Sequence, residues 1–309
     1  MRSVKLGGVV SALLTPFYDD YSIDYASLRK LVDRSLAVKS VGAVFGVGHA
    51  GEVASLTREE RAEVTRVISD QVKGRVPVLT GVYTDSLNEA VDHARDAKAA
   101  GADAVTIFPP PIFADGACAS HEMPLLWHET IAEKADIPLV LFQFSPGGGL
   151  GYTPDTLRRL VALPYVVGIK EGSAGMVPYQ LNVEICREAT PPVPVLTSNN
   201  SSLLSSLAVG GEGILSGSGS VIAAELGEMW EAVEKGDLFA ARAAHEKLRP
   251  LTKCFYKAPF IDMHTRMKEC LVMLGVLERA TVRPPLLAIS EIERKALRDA
   301  LAFAGLLKG

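Results

Sequence analysis

Short, almost wholly apolar runs alternate with longer segments in which apolar residues recur every three or four positions, and the alternation persists nearly to the end of the chain. The short runs are residues 8–13, 43–47, 76–81, 104–108, 139–144, 166–170, 193–197 and 213–216. Few polar residues interrupt them, the pattern of parallel strands covered on both faces. Between them, residues 27–38, 58–71, 87–100 and 154–161 read as amphipathic helices. Their ends carry matching signals. Thr57 with Glu60 forms a capping-box pattern, Thr153 precedes Pro154 at a helix start, and Gly101, Gly210 and Gly211 fall where helices stop.

Eight strands, each followed by a helix, predict a (β/α)8 TIM barrel over residues 1–236, a fold that ordinarily takes about 250 residues. The rhythm then changes to helices alone, near 238–255, 259–274 and 290–306, so residues 237–309 are expected as a C-terminal helical extension packed on the barrel. An open dinucleotide-binding sheet is the competing α/β architecture, but Leu14-Thr15-Pro16-Phe17 follows the first strand where a Gly-rich turn belongs.

The chain has 309 residues, a formal charge of −4, and 48% hydrophobic against 22% charged residues, the balance of a globular protein rather than a disordered or coiled-coil one. The mild acidity argues against nucleic acid as a partner, which requires clustered Lys and Arg. No apolar run approaches the roughly 20 residues of a membrane span, and the opening stretch, halted by Pro16, Asp19 and Asp20, reads as a first strand rather than a signal peptide. Cys118, Cys186, Cys254 and Cys270 are far apart with no C-x-x-C pair, which points to reduced thiols and a cytoplasmic setting. His49, His93, His121, His128, His245 and His264 show no metal-ligand spacing, so neither a metal nor a cofactor is expected.

Catalytic residues of such barrels lie at the C-terminal ends of the strands. Lys170 ends the sixth run, where burial would lower its pKa and leave an amine able to attack a carbonyl; the plainer reading pairs it with Glu171 or another acid. After the second run, Gly48-His49-Ala50-Gly51 is either an anion-binding nest of backbone amides or a tight turn, and His49 there is a ligand, a proton carrier or a hydrogen-bonded loop residue. Ser198, Asn199 and Asn200 after the seventh run, with Ser216 to Ser220 after the eighth, read as a polar wall for substrate hydroxyls or as a phosphate cradle.

Taken together these positions resemble the dihydrodipicolinate synthase/N-acetylneuraminate lyase superfamily of class I, Schiff-base aldolases. The resemblance rests on the pattern G-x-x-x-A-x-x-T-P-F at residues 8–17 and on Gly48 to Glu52 followed by Leu56-Thr57-x-x-Glu60. It continues through Gly168-Ile169-Lys170, Gly213-Ile214-Leu215-Ser216, Met267-Lys268 and Leu274-Gly275. It implies that Lys170 forms an imine with a 2-oxo acid such as pyruvate and that the backbone amides of Gly48, His49, Ala50 and Gly51 hold the acid's carboxylate. It further implies that Thr15 orients the lysine and that the chain assembles as a homotetramer or homodimer. Phe142, Ser198, Asn199 and Ser216 are expected to touch substrate.

The departures bear on function. Relatives place a tyrosine where Phe142 stands, and phenylalanine has no proton to relay. His49 and Ala50 replace two hydroxyl residues, and the arginine that binds the aldehyde's carboxylate in the synthases is missing from Ser145 to Gly151, as are the strand-four tyrosines near Ile112. Synthesis of the lysine precursor is therefore not the expected activity. The expectation is a lyase, either a pyruvate-type aldolase or a 2-keto-3-deoxy acid dehydratase, with His49 as acid/base partner and Tyr83 as a weaker substitute. Phe142, Phe144 and Ile112 at the mouth favour an apolar or aromatic partner, whereas the Ser/Asn rim favours a hydroxylated one. The alternative is a catalytically weakened barrel serving as a metabolite-binding or regulatory oligomer.

Overall fold

The computed structural model describes residues 4–117 and 120–307, so Cys118 lies outside the described residues. Eight parallel strands close on themselves in chain order: β1 (Gly8–Ala12), β2 (Val41–Gly46), β3 (Val78–Val82), β4 (Ala104–Ile107), β5 (Leu139–Phe144), β6 (Val166–Gly172), β7 (Val195–Thr197) and β8 (Gly213–Ser216). Helices follow each of them: α1 (Tyr25–Leu36), α2 (Arg58–Val72), α3 (Leu87–Ala99), α4 (Glu122–Ala135), α5 (Pro154–Val161), α6 (Met176–Glu188), α7 (Leu203–Ala208) and α8 (Gly219–Glu234). The ring closes where Ser11 of β1 pairs with Ser216 of β8. This is the expected (β/α)8 barrel.

Strand entries shift where proline intervenes. β3 begins at Val78 and β7 at Val195, each two residues later than the apolar run, because Pro77 and Pro194 have no N–H for the ladder. Their carbonyls still accept, Pro77 from Val44 at 3.1 Å and Pro194 from Ile169 at 3.0 Å. β6 runs two residues beyond Lys170 because Glu171 and Gly172 pair with Gln143 and Phe144 of the long β5. The capping box forms as the sequence predicts: Thr57 Oγ1 accepts from the Glu60 amide at 3.2 Å, and Glu60 Oε2 accepts from the Thr57 amide at 2.9 Å.

Beyond α8 come α9 (Leu238–Tyr256), α10 (Met263–Met273) and α11 (Glu291–Phe303). Instead of running from 259, the middle helix starts at Met263, after a 3₁₀ turn over Phe260–Asp262. Arg266 explains the break. Fully buried, it donates through Nη1 to the carbonyls of Phe255 (3.3 Å), Lys257 (2.7 Å) and Pro259 (3.1 Å) and is countered by Glu293. One guanidinium thus gathers the carbonyls that the end of α9 leaves unpaired. Among the described residues no helix is long and apolar enough to cross a membrane.

Candidate active site

Alternation along β6 sends Lys170 and Glu171 to opposite faces. Glu171 points outward and accepts from Asn182 Nδ2 of α6 at 2.9 Å, and burial pushes its carboxyl above the usual range. It is no counter-ion for the lysine. Lys170 points into the barrel mouth, where Phe142, its register partner on β5, lies 3.7 Å from Nζ. The rings of Phe45 and Phe108 stand 5.7 and 5.8 Å away.

Among the described residues no carboxylate pairs with this nitrogen. Burial lowers the Lys170 pKa to about 7. Ring faces favour the ammonium by about 0.5–2 kcal/mol, whereas full burial of a lysine can depress its pKa by about 3–5 units. Desolvation wins, and the amine is substantially unprotonated at neutral pH.

The β2–α2 loop is strained and multiply anchored. Val47 and Glu52 have left-handed backbone (φ 53° and 57°), and a Cβ on Gly81 would collide with the Val47 carbonyl, so the neighbouring strand must be glycine there. Three loop carbonyls are occupied from outside the cavity or within the turn: Gly51 accepts from Thr15 Oγ1 (2.8 Å), His49 from His264 Nε2 (2.7 Å), and Gly48 from the Val53 amide (3.3 Å). The amides of Gly48, His49, Ala50 and Gly51 have no acceptor among the described residues. Four successive loop donors thus remain without a protein acceptor among the described residues, as an anion nest requires.

Below it, Glu52 and Lys268 form a fully buried ion pair at 2.5 Å, and the second Glu52 oxygen accepts from the Arg283 amide at 3.1 Å. This joins the loop to the C-terminal tail.

A cavity of about 400 Å³ is lined by His49, Ala50, Phe142, Lys170, Ser198, Asn199 and Ser216 among others, which brings seven of the ten residues singled out from sequence to one place. Gly48, Gly51 and Thr15 are not among its lining residues. Thr15 spends its hydroxyl proton on the Gly51 carbonyl, so it braces the loop rather than the lysine. Tyr83 does not reach the cavity, its ring meeting Phe108 edge-on. Ile112, expected at the mouth, is 58% exposed and outside it, because Asp85 Oδ1 accepts from its amide (2.9 Å) and pins the turn that carries it.

His49 stacks on Phe260 (6.0 Å, 23°) and meets His264 edge-on (5.4 Å). Burial, then the nearby charges of His264 and Lys170, lower its pKa to about 4, so it is a neutral imidazole at pH 7. It can take up a proton but has none to spare as an acid from the imidazolium form.

Sequence reading missed the contribution of the tail: Tyr256, Phe260 and Met263 line the cavity too. Tyr256 hydroxyl accepts from the Ser218 amide (3.1 Å) and lies 2.9 Å from Ser216 Oγ. Ser216 gives its proton to Asn200 Oδ1 at 2.5 Å, an oxygen that only accepts, so Tyr256 must donate to Ser216. Ser220 and Ser11 are spent on the carbonyls of Ala12 and Gly219, stitching the β8 loop to β1. Lys170 is the sole lysine or arginine among the lining residues, so the Ser/Asn rim is a polar wall and lacks the charges of a phosphate cradle. Among the described residues no cluster of three His, Cys, Asp or Glu side chains is placed to hold a metal ion.

The mouth of this (β/α)8 barrel thus combines a buried strand-end lysine of lowered pKa, a glycine-rich loop and a mixed aromatic and polar cavity. The sequence profile of the dihydrodipicolinate synthetase family matches residues 5–304, and the chain belongs to that family, whose members are lyases. The 4-hydroxy-tetrahydrodipicolinate synthase of Nitratidesulfovibrio vulgaris (strain DP4) is 30% identical over 306 residues, 98% of this chain and all of that one. That of Methanoculleus marisnigri is 33% identical over 301 residues, 96% of this chain and 99% of the other. Among solved structures, dihydrodipicolinate synthase from Thermotoga maritima superposes with a TM-score of 0.88 at 27% identity over 99% of this chain and 100% of that one. YagE from E. coli K12, a prophage protein of the same family solved with pyruvate, gives 0.88 at 25% identity over 97% and 99%.

Proposed function

We propose that this chain is a Schiff-base lyase acting on 2-oxo acids, with Lys170 as the nucleophile. The observation that carries the reading is a buried lysine with no acid partner among the described residues, its pKa lowered to about 7, in a cavity that His49 and Ala50 of the glycine-rich loop also line. The Lys170 amine adds to the ketone carbon and water leaves, giving an imine whose protonated nitrogen withdraws electrons from C3. The substrate carboxylate takes the Gly48–Gly51 amides.

For a 4-hydroxy-2-oxo acid, neutral His49 accepts the C4 hydroxyl proton, the C3–C4 bond breaks, and its electron pair moves to the imine nitrogen as an aldehyde departs. Reprotonation at C3 and hydrolysis release pyruvate. Removal of a C3 proton from the imine, followed by departure of a 4-hydroxyl as water, draws on the same electron sink. YagE, solved with pyruvate, supports a 2-oxo acid ligand for a relative of this fold.

The curated relatives carry the name 4-hydroxy-tetrahydrodipicolinate synthase. We place this chain's own activity elsewhere, because among the described residues no arginine lines the cavity and Phe142 takes the place where a tyrosine is expected. A homodimer or homotetramer fits the large apolar side chains that the β4–α4 region leaves exposed, Ile112, Met123 and Leu126. A panel of 2-oxo acids, assayed for release of pyruvate, aldehyde or water, tests the function. Turnover of at least one member, abolished in Lys170→Met, is expected; no turnover of any member contradicts it.

A further inference from the structure

The cavity carries two aromatic stacks. One belongs to β5: Phe142 and Phe144 lie 4.1 Å apart at 31°, and Phe108 meets Phe142 edge-on at 5.1 Å. The other is built by the tail and the β2 loop: His49 on Phe260 (6.0 Å, 23°) and Phe260 on Tyr256 (5.8 Å, 25°). The second stack is fixed over β8 by the Tyr256–Ser216 hydrogen bond, three strands round the ring from the first. All of these residues except Phe108 line the cavity.

The charge inventory is as informative. Among the described residues no Asp, Glu or Arg lines the cavity, its one lysine is committed to the imine, and His49 is neutral. A second carboxylate on the substrate would be desolvated there without a partner. Much of the rim's hydrogen-bonding capacity is already consumed internally, since Tyr256, Ser216, Ser218 and Asn200 satisfy one another. A polyhydroxylated chain would have to break that network.

From these observations we infer that the reactant joined to or cleaved from the 2-oxo acid is an uncharged aromatic aldehyde. Its ring packs against the aromatic side chains that line the cavity, Phe144 on one side and Tyr256 and Phe260 on the other. Ring pairs at such spacings are favoured beyond simple burial, and the cavity volume of about 400 Å³ suits a two-piece ligand of this size. The inference rests on the Lys170 reading and names the partner reactant of that same site.

The test measures aldol addition of pyruvate to benzaldehyde, 2-hydroxybenzaldehyde, glyceraldehyde and succinic semialdehyde by the intact protein, with borohydride trapping of pyruvate in parallel. The expected result is a kcat/KM for the aromatic aldehydes about tenfold or more above the other two. The Phe260→Ala and Phe144→Ala variants are expected to raise KM for benzaldehyde by a larger factor than KM for glyceraldehyde. A trapped pyruvate adduct without aromatic preference, or variants that leave the benzaldehyde KM unaltered, overturns the assignment and leaves the Lys170 reading standing. Absence of the adduct overturns the Lys170 reading. In that case saturation-transfer NMR with benzaldehyde on the unmodified protein still decides the slot: a signal lost in Phe260→Ala supports it, and no signal overturns it.

Discussion

Lys170 Nζ stands 3.7 Å from the centroid of the Phe142 ring, its register partner on the adjacent strand. The ring excludes water from the amine and offers no proton. Replacing it with alanine admits water to the cavity floor, so the Phe142→Ala amine is expected to titrate about one unit or more higher. The rate of borohydride trapping with pyruvate, measured from pH 5 to 10, gives that pKa directly.

In the wild-type protein the sign of the same profile follows from burial. The ammonium form has no lone pair, so trapping rises with pH, with unit slope below about 7, and levels off above it. His49, with its pKa lowered to about 4, adds no limb between pH 5 and 9. A profile that climbs instead through pH 10 describes a hydrated lysine.

His49→Asn removes the neutral base and keeps a side chain of comparable size. Turnover is expected to fall by about 10²–10⁴, with the yield of trapped imine little changed. The contrast between steady-state kcat and single-turnover trapping checks it. Undiminished turnover would remove His49 from the proton transfer.

Tyr256→Phe deletes the hydroxyl that donates to Ser216 and accepts from the Ser218 amide, while keeping the ring. A net hydrogen-bond contribution of about 0.5–1.5 kcal/mol translates into a rise of several-fold in KM for the aldehyde. Aromatic preference is expected to persist. Kinetics across the aldehyde panel separate the two effects.

Glu52 and Lys268, both inaccessible to solvent, tie the β2 loop to α10. Lys268→Met strands a buried carboxylate and is expected to cost about 3–5 kcal/mol, read as a lowered urea midpoint. Adding Glu52→Gln should restore part of the loss, because the residue left behind is then uncharged. Equal destabilisation in the single and double variants would contradict the pairing.

How legible all this was in the sequence follows from where each feature lies in the chain. Parallel strands buried on both faces leave continuous apolar runs, so the eight strands could be placed; β3 and β7 start late at Pro77 and Pro194, where a missing N–H delays the ladder, β2 starts two residues early and β6 ends two residues late. Once a barrel is assumed, strand ends become site candidates, which is how Lys170, Phe142, Ser216 and the Gly48–Gly51 loop came into view. Tyr256 and Phe260 carried no such marker. Their place over the mouth depends on Arg266 collecting three carbonyls and on contacts such as Lys268 with Glu52 and Arg283 with Glu60, more than 200 residues apart in sequence. Periodicity holds no record of those contacts. The one available hint was the aromatic pair flanking Lys257-Ala258-Pro259 at a helix end, where a proline makes the chain turn. Ile112 erred in the other direction, since nothing local to Pro109-Pro110-Pro111 announces that Asp85 holds the turn outward.

The most direct test of the central claim is sodium borohydride reduction in the presence of pyruvate, followed by peptide mass mapping. The account expects one stable pyruvate adduct per chain, on the peptide bearing Lys170, absent from Lys170→Met and faster to form at pH 8 than at pH 6. An unmodified Lys170 peptide with every 2-oxo acid tried, or an adduct on a different lysine, would contradict it.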